Sequence, residues 1–374
     1  MPQLADQPIT PRSDFLPLAG IDHVEFYVGN AKQAAHYYRT AFGMRLTAYQ
    51  GPETGVRDHV SYVVEQSRIR FVLTTALRLD HPVAAHVAKH GDGVKSIALT
   101  VEDASSAYEE LKRRGAVIVG DLETRPSTRG PVRVFSIAIY GDTIHTFVER
   151  KNFRGRFLPG FEPTPEETLA HPTGLEQIDH MVGNVELGEM EKWVAFYRDV
   201  MGFDLYQSFD DTDISTEYSA LMSKVMSSGN GRVRFPINEP AEGRKKSQIE
   251  EYLDSYRGAG VQHIAMLTYD ILDTVTRLRR QGVEFLDVPR SYYEELKGRV
   301  GEIDEPLDAL AELGVLVDRD DEGYLLQIFT KPVEDRPTLF YEIIERKGAR
   351  GFGKGNFKAL FEAIEREQAR RGNL

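Results

Sequence analysis

The sequence predicts an α+β chain of two tandem, open β-barrel-like domains followed by a C-terminal helix. Three observations lead there. The chain has 374 residues, more than one hydrophobic core usually supports. The stretch from Gly20, "GIDHVEFYVGNAKQAAHYYRTAFGMRL", returns in character from Gly174 as "GLEQIDHMVGNVELGEMEKWVAFYRDVMGFDL". Each half also contains two strand–helix–strands modules of its own, so the repeat is nested.

The elements follow in order. Residues 1–17 lack the basic and apolar segments of a signal peptide and read as a loose arm. Residues 18–151 form the first domain. Its second module begins with "GVKSIALTVEDASSAYEELKRRGA" at Gly93, an apolar strand, an amphipathic helix and a glycine at the helix end. "TIHTFVER" (143–150) closes the half as a strand. The Pro-, Gly- and charge-rich segment 152–172 reads as a linker. Residues 173–374 form the second domain, with "GVQHIAMLTYDILDTVTRLRRQGV" from Gly260 and "TLFYEIIER" (338–346) as counterparts. It adds a longer middle, roughly 208–258, and a terminal helix over 356–371.

Composition excludes several function classes. The net charge is −12, which argues against non-specific nucleic-acid or anionic-membrane binding. No apolar run approaches the ~20 residues that span a bilayer, so a cytoplasmic protein is expected. With no cysteine, disulfides, thiolate metal sites, iron–sulfur clusters and cysteine nucleophiles are ruled out. Any metal must sit on His, Asp, Glu or carbonyl oxygen.

The internal repeat locates the candidate chemistry. His180 in "IDHM" lies over His23 in "IDHV", His263 in "VQHIA" over Ser96, and Glu342 in "FYEII" over Thr146. Only the second half has two histidines and a carboxylate on three strands. That is the ligand set of non-haem Fe(II) oxygenases, which leaves adjacent positions open for substrate and O₂. A lone strand histidine is ordinarily structural, and His23 reads that way. A glutamate inside an apolar run is different, because an unpaired buried carboxylate is costly.

Other signals are weaker. His86 and His90 have i,i+4 spacing but no acidic third ligand, and the stretch reads as solvated. "FDDTD" (209–213) and "DRDDEG" (318–323) read as turns, and Trp193 as helix packing. "GFGKGN" (351–356) follows a strand and precedes a helix, but matches neither phosphate-binding glycine pattern. Its glycines read as a hinge, Asn356 as the N-cap of a lid helix, and Phe357 as facing the site.

The motifs "FPINEPAEGRKKSQIEEYL", "GVQHIA", "GYLLQIFTKPVEDRPTLFYEIIER" and "GARGFGKGNFKALFEAIEREQ" resemble the 4-hydroxyphenylpyruvate dioxygenases, of the vicinal-oxygen-chelate fold built from paired βαβββ modules. The resemblance covers nearly the whole chain. It implies one Fe(II) per subunit on His180, His263 and Glu342, and a substrate whose α-keto acid chelates the iron. Reaction with O₂ then decarboxylates the keto acid, hydroxylates the ring and moves the side chain, giving homogentisate in tyrosine catabolism. Gln262, Asn238 and Phe357 count with the catalytic groups. The substrate pocket would comprise Ser223, Pro236, Asn238, Gln248, Gln262, Gln327, Phe329, Phe340, Asn356 and Phe357. A homodimer or homotetramer is implied as well. Two rivals share the fold: hydroxymandelate synthase, which hydroxylates the benzylic carbon, and a non-catalytic small-molecule binder.

Overall fold

The computed structural model describes residues 14–165, 171–210, 220–241 and 245–372. The first half contains β1 (Leu18–Tyr27), α1 (Ala31–Ala41), β2 (Arg45–Gln50), β3 (His59–Gln66), β4 (Ile69–Ala76) and α2 (Pro82–His90). It continues with β5 (Gly93–Val101), α3 (Ala104–Arg113), β6 (Ile118–Arg125), β7 (Val132–Ala138), β8 (Ile144–Glu149) and a short β9 (Glu162–Pro163). The second half opens with β10 (Leu175–Asn184), α4 (Met190–Asp199), β11 (Asp204–Phe209), β12 (Ala220–Ser227), β13 (Arg234–Ala241) and α5 (Gln248–Tyr256). Then come β14 (Gly260–Thr268), α6 (Ile271–Arg280), α7 (Ser291–Glu294), α8 (Leu296–Val300) and α9 (Leu307–Leu313). The chain closes with β15 (Leu316–Arg319), β16 (Tyr324–Phe329), β17 (Phe340–Lys347) and α10 (Phe357–Arg371).

Each half is the expected pair of βαβββ modules. The first sheet runs β6-β7-β8-β5-β1-β4-β3-β2-β9 and the second β11-β12-β13-β10-β14-β17-β16-β15. The first strands of the two modules pair antiparallel at the centre, β10 with β14. Local chemistry sets the boundaries. Asp270 accepts from the Asp273 N–H and starts α6, whose stripe Ile271, Thr274, Val275 and Leu278 is buried. Ser247 and Glu250 form a capping box on α5.

One apolar core runs through both halves. Tyr38 and Tyr341 share a hydrogen bond of 2.7 Å across it, and His145 reaches the Tyr197 hydroxyl at 2.9 Å. The barrel interiors carry separate clusters. Phe157 and Leu158 fill part of the first, and α10 covers the second. No helix among the described residues is long and apolar enough to cross a membrane.

The structure corrects several expectations. Residues 14–17 are not loose: Leu16 is buried, and Arg114 lies 3.5 Å over the Phe15 ring. The linker does more than connect, since β9 pairs with β2 and Phe157 packs inside the first barrel. The middle of the second half repeats the strands of the first and is longer, as expected, and a further insertion, α7–α9, lies between α6 and β15. His86 and His90 are buried rather than solvated; His90 bonds the Tyr256 carbonyl and Asp142. Part of "FDDTD" lies outside the described residues, whereas "DRDDEG" does turn, Asp320 accepting from the Glu322 and Gly323 N–H groups.

Candidate metal centre and its pocket

β10, β14 and β17 lie side by side, and their register builds the centre. His180 stands opposite Ala265, and Ala265 opposite Glu342. His263 sits two residues from Ala265 and so faces the same way. The methyl of Ala265 leaves a gap between the outer two side chains. The ligand atoms of His180, His263 and Glu342 lie within 4.8 Å of one another, and all three residues are buried. Glu342 Oε2 is 3.3 Å from His180 Nε2 and 3.6 Å from His263 Nε2.

The neighbours fix which atoms face the gap. His180 Nδ1 is 2.8 Å from Asp179 Oδ2, and His263 Nδ1 is 3.1 Å from Gln262 Oε1. Each Nδ1 donates there, so each Nε2 presents its lone pair to the centre. Gln327 Nε2 donates to Glu342 Oε1 at 3.3 Å, leaving Oε2 toward the histidines. Burial pushes the Glu342 carboxyl up, but the two histidines outweigh it and hold it down at about 2. Burial also lowers the histidines; Glu342 and Asp179 reverse that at His180, while His263 stays below the usual imidazole range. Two imidazole nitrogens and a carboxylate, converging and dehydrated, suit a divalent transition metal.

A pocket of about 580 Å³ opens over these ligands. Phe329, Phe340 and Phe357 supply aromatic walls, while Ser223, Asn238, Gln248, Gln262 and Gln327 supply polar groups beside Pro236. The His263 ring stacks on Phe340 at 4.8 Å. From α10, Leu360 and Phe361 complete the cover.

Comparison with known proteins agrees with this geometry. The model of the Glyoxalase/Bleomycin resistance protein/Dioxygenase superfamily matches residues 20–136 and 177–328. The 4-hydroxyphenylpyruvate dioxygenase of Yarrowia lipolytica is 48% identical over 95% of this chain and 93% of its own length. That of Dictyostelium discoideum is also 48% identical, over 96% of this chain and 100% of its own. The chain belongs to the 4-hydroxyphenylpyruvate dioxygenase family. Among solved structures, a triple mutant of 4-hydroxymandelate synthase from Streptomyces coelicolor superposes on the dioxygenase with a TM-score of 0.85. It is 32% identical and covers 94% of this chain and 100% of its own.

Of the residues that the sequence nominated, all but Asn356 line the dioxygenase's pocket. Asn356 stands one step back. Its Nδ2 donates to Gln327 Oε1 at 3.0 Å, and its Oδ1 lies 2.7 Å from the Tyr292 hydroxyl. It therefore does not cap α10 with its side chain, contrary to expectation. The glycine loop is tightly packed: a Cβ on Gly353 (φ +74°) would lie 1.9 Å from Gln327 Oε1. Close backbone approach is what requires glycine there.

Sequence reasoning missed Asp179, Arg346, Tyr292 and Phe352. The signal for the first two was available. "DH" followed by a closing "ER" occurs in both halves, as Asp22-His23 with Arg150 and Asp179-His180 with Arg346. In the first half the pair Ser96 and Thr146, joined at 2.8 Å, replaces the other two ligands, while Asp22 still bonds His23 and Arg150.

Proposed function

We propose that the enzyme converts 4-hydroxyphenylpyruvate and O₂ to homogentisate and CO₂, using one Fe(II) held by His180, His263 and Glu342. The observation that carries this reading is the convergence of two imidazole Nε2 atoms and one carboxylate beneath an aromatic, amide-lined pocket. When bound, Fe(II) would supply chelation of the α-keto acid and activation of O₂. The chain's own residues would do the rest. Asp179 and Gln262 hold the two imidazoles as Nε2 ligands. Gln327, fixed by Asn356, keeps one Glu342 oxygen occupied. The phenol ring would lie among Phe329, Phe340 and Phe357. Its hydroxyl and the keto acid would take partners from Ser223, Asn238, Gln248 and Gln262. Phe357, Leu360 and Phe361 of α10 would exclude water from the reacting centre. The reading includes a homodimer or homotetramer, which light scattering would determine.

Product identification tests the proposal. The Fe(II)-loaded protein is given 4-hydroxyphenylpyruvate in air and the product is identified by chromatography and mass spectrometry. Homogentisate is expected. The likeness to hydroxymandelate synthase makes hydroxymandelate the second reading, and finding it would move the specificity argument to Pro236, Asn238 and Phe357. No oxygen uptake would overturn both.

A further inference from the structure

A second cavity, about 1550 Å³, opens beside the metal pocket where the two halves meet. Gly20 and Ile21 of β1 and Gln177 to Asp179 of β10 line it, together with Arg68, Arg232, Arg234, Arg346 and Arg350. Asp179 engages Arg346. The other four guanidiniums have no carboxylate partner among the described residues. In a chain of net charge −12, this is a concentrated island of uncompensated positive charge.

The internal repeat shows how it arose. In the first half Arg70 stands opposite Glu65 across the β3–β4 pair and is bound by it at 2.5 Å. The matching positions of the β12–β13 pair are Arg234 and Ser227. The neutralising carboxylate is gone, and Arg234 Nε is buried without a hydrogen-bond partner. Arg234 shares its strand face with Pro236 and Asn238, which line the metal pocket. Its guanidinium lies 4.8 Å from the Tyr206 ring centroid and 5.9 Å from that of Phe352. Phe352 in turn lines the metal pocket and packs against His180 at 4.9 Å. Arg234 therefore lines the cleft and lies against Phe352, which lines the metal pocket.

We infer that this cleft is the entry route for the anionic substrate: Arg68, Arg232 and Arg350 gather the aryl α-keto acid by its carboxylate, and Arg234 passes it beyond Phe352 to the metal pocket. The inference rests on the proposed keto-acid substrate. Unpaired charges around a cleft raise the encounter rate with a counter-charged ligand, and salt screens the effect.

The test uses the Fe(II)-loaded full chain and measures kcat and kcat/KM from about 20 to about 300 mM salt, a range over which the screening length falls well below the cleft's dimensions. In the wild type, kcat/KM is expected to fall about fivefold to tenfold across that range while kcat stays level. The triple variant Arg68→Gln, Arg232→Gln, Arg350→Gln should start about fivefold lower in kcat/KM and show a flat salt profile, with kcat within about twofold. Arg234→Gln, which leaves the three gathering charges in place, should lower kcat/KM while keeping most of the slope, whereas Arg234→Lys should stay near the wild type. A triple variant with the wild-type slope, or one that loses kcat alone, would overturn the entry route while leaving the proposed reaction standing. A wild type that makes no product from the keto acid would remove both.

Discussion

Asp179 binds His180 and Arg346 with a single carboxylate. Oδ2 meets His180 Nδ1 at 2.8 Å, and the two oxygens receive Arg346 Nε and an Arg346 terminal nitrogen at 2.8 and 2.7 Å. Arg346 also donates to the Gly351 carbonyl at 2.7 Å. One ion pair thus ties a residue of the candidate metal centre to the loop that leads into α10. Outer partners of this kind orient a ligating imidazole and keep it basic.

Asp179→Asn should therefore weaken metal binding about 10- to 100-fold. Co(II) titration against a competing chelator would read it. The twin substitution Asp22→Asn, in the half without the other two ligands, should leave metal affinity unchanged. Equal losses in both variants would mean that the pair matters only to folding.

Gly353→Ala forces a side chain into a left-handed position and against Gln327. The backbone term alone costs about 1 kcal/mol. Moving Gln327 also frees Glu342 from its bond, so turnover should fall at least about tenfold. Steady-state rates together with a thermal melt would separate the site effect from general destabilisation.

Tyr292→Phe should act through a chain of contacts. The hydroxyl meets Asn356, Asn356 bonds Gln327, and Gln327 bonds Glu342. Losing one such bond is worth about 1 kcal/mol, or roughly fivefold in kcat. An unchanged kcat would show that Arg299, whose terminal nitrogen lies 3.3 Å from Asn356 Oδ1, suffices to hold it.

Removing residues 351–374 should cut turnover at least about 100-fold while leaving the strands folded and the metal bound, because all three residues of the candidate centre lie on β10, β14 and β17. Circular dichroism and metal content would establish the second part. Full activity in the truncated protein would sink the role of α10 in covering the site.

Glu334 gives a pH dependence. Burial, with Asp92 and Asp335 nearby, raises its carboxyl to about 7. The folded protein then holds a proton there that the unfolded chain has already lost. This contribution to stability is fully present below about 4.5, the unfolded value, and fades as pH rises through 7. Glu334→Gln should remove that part of the decline, so the melting temperatures of wild type and variant should diverge between pH 5 and 8. Parallel curves would refute it.

How much of this was legible before folding depends on the kind of signal. His180, His263 and Glu342 stood out because a polar residue in an apolar, period-two strand is a misfit, and the internal repeat gave each a counterpart to differ from. The βαβββ order was legible for the same reason. Asn356 was misassigned because an asparagine before a helix is a good local cap. Its choice of Gln327 was made by a strand 29 residues away in sequence. His86 and His90 looked solvated because the residues that bury them, Tyr27 and Tyr256, come from other elements.

The sequence by itself determined the duplicated architecture, the two histidines and one glutamate that stand out on three strands, and the aromatic and amide character of the pocket, since these follow from periodicity and residue chemistry along the chain. The tertiary structure decided what lies beside what. It placed Ala265 between His180 and Glu342, Asp179 behind His180, Phe352 against both His180 and Arg234, and Arg234 opposite a serine instead of a carboxylate. Those relations depend on strand register and long-range packing, and a side chain's charge or spacing does not encode the partner that folding brings to it.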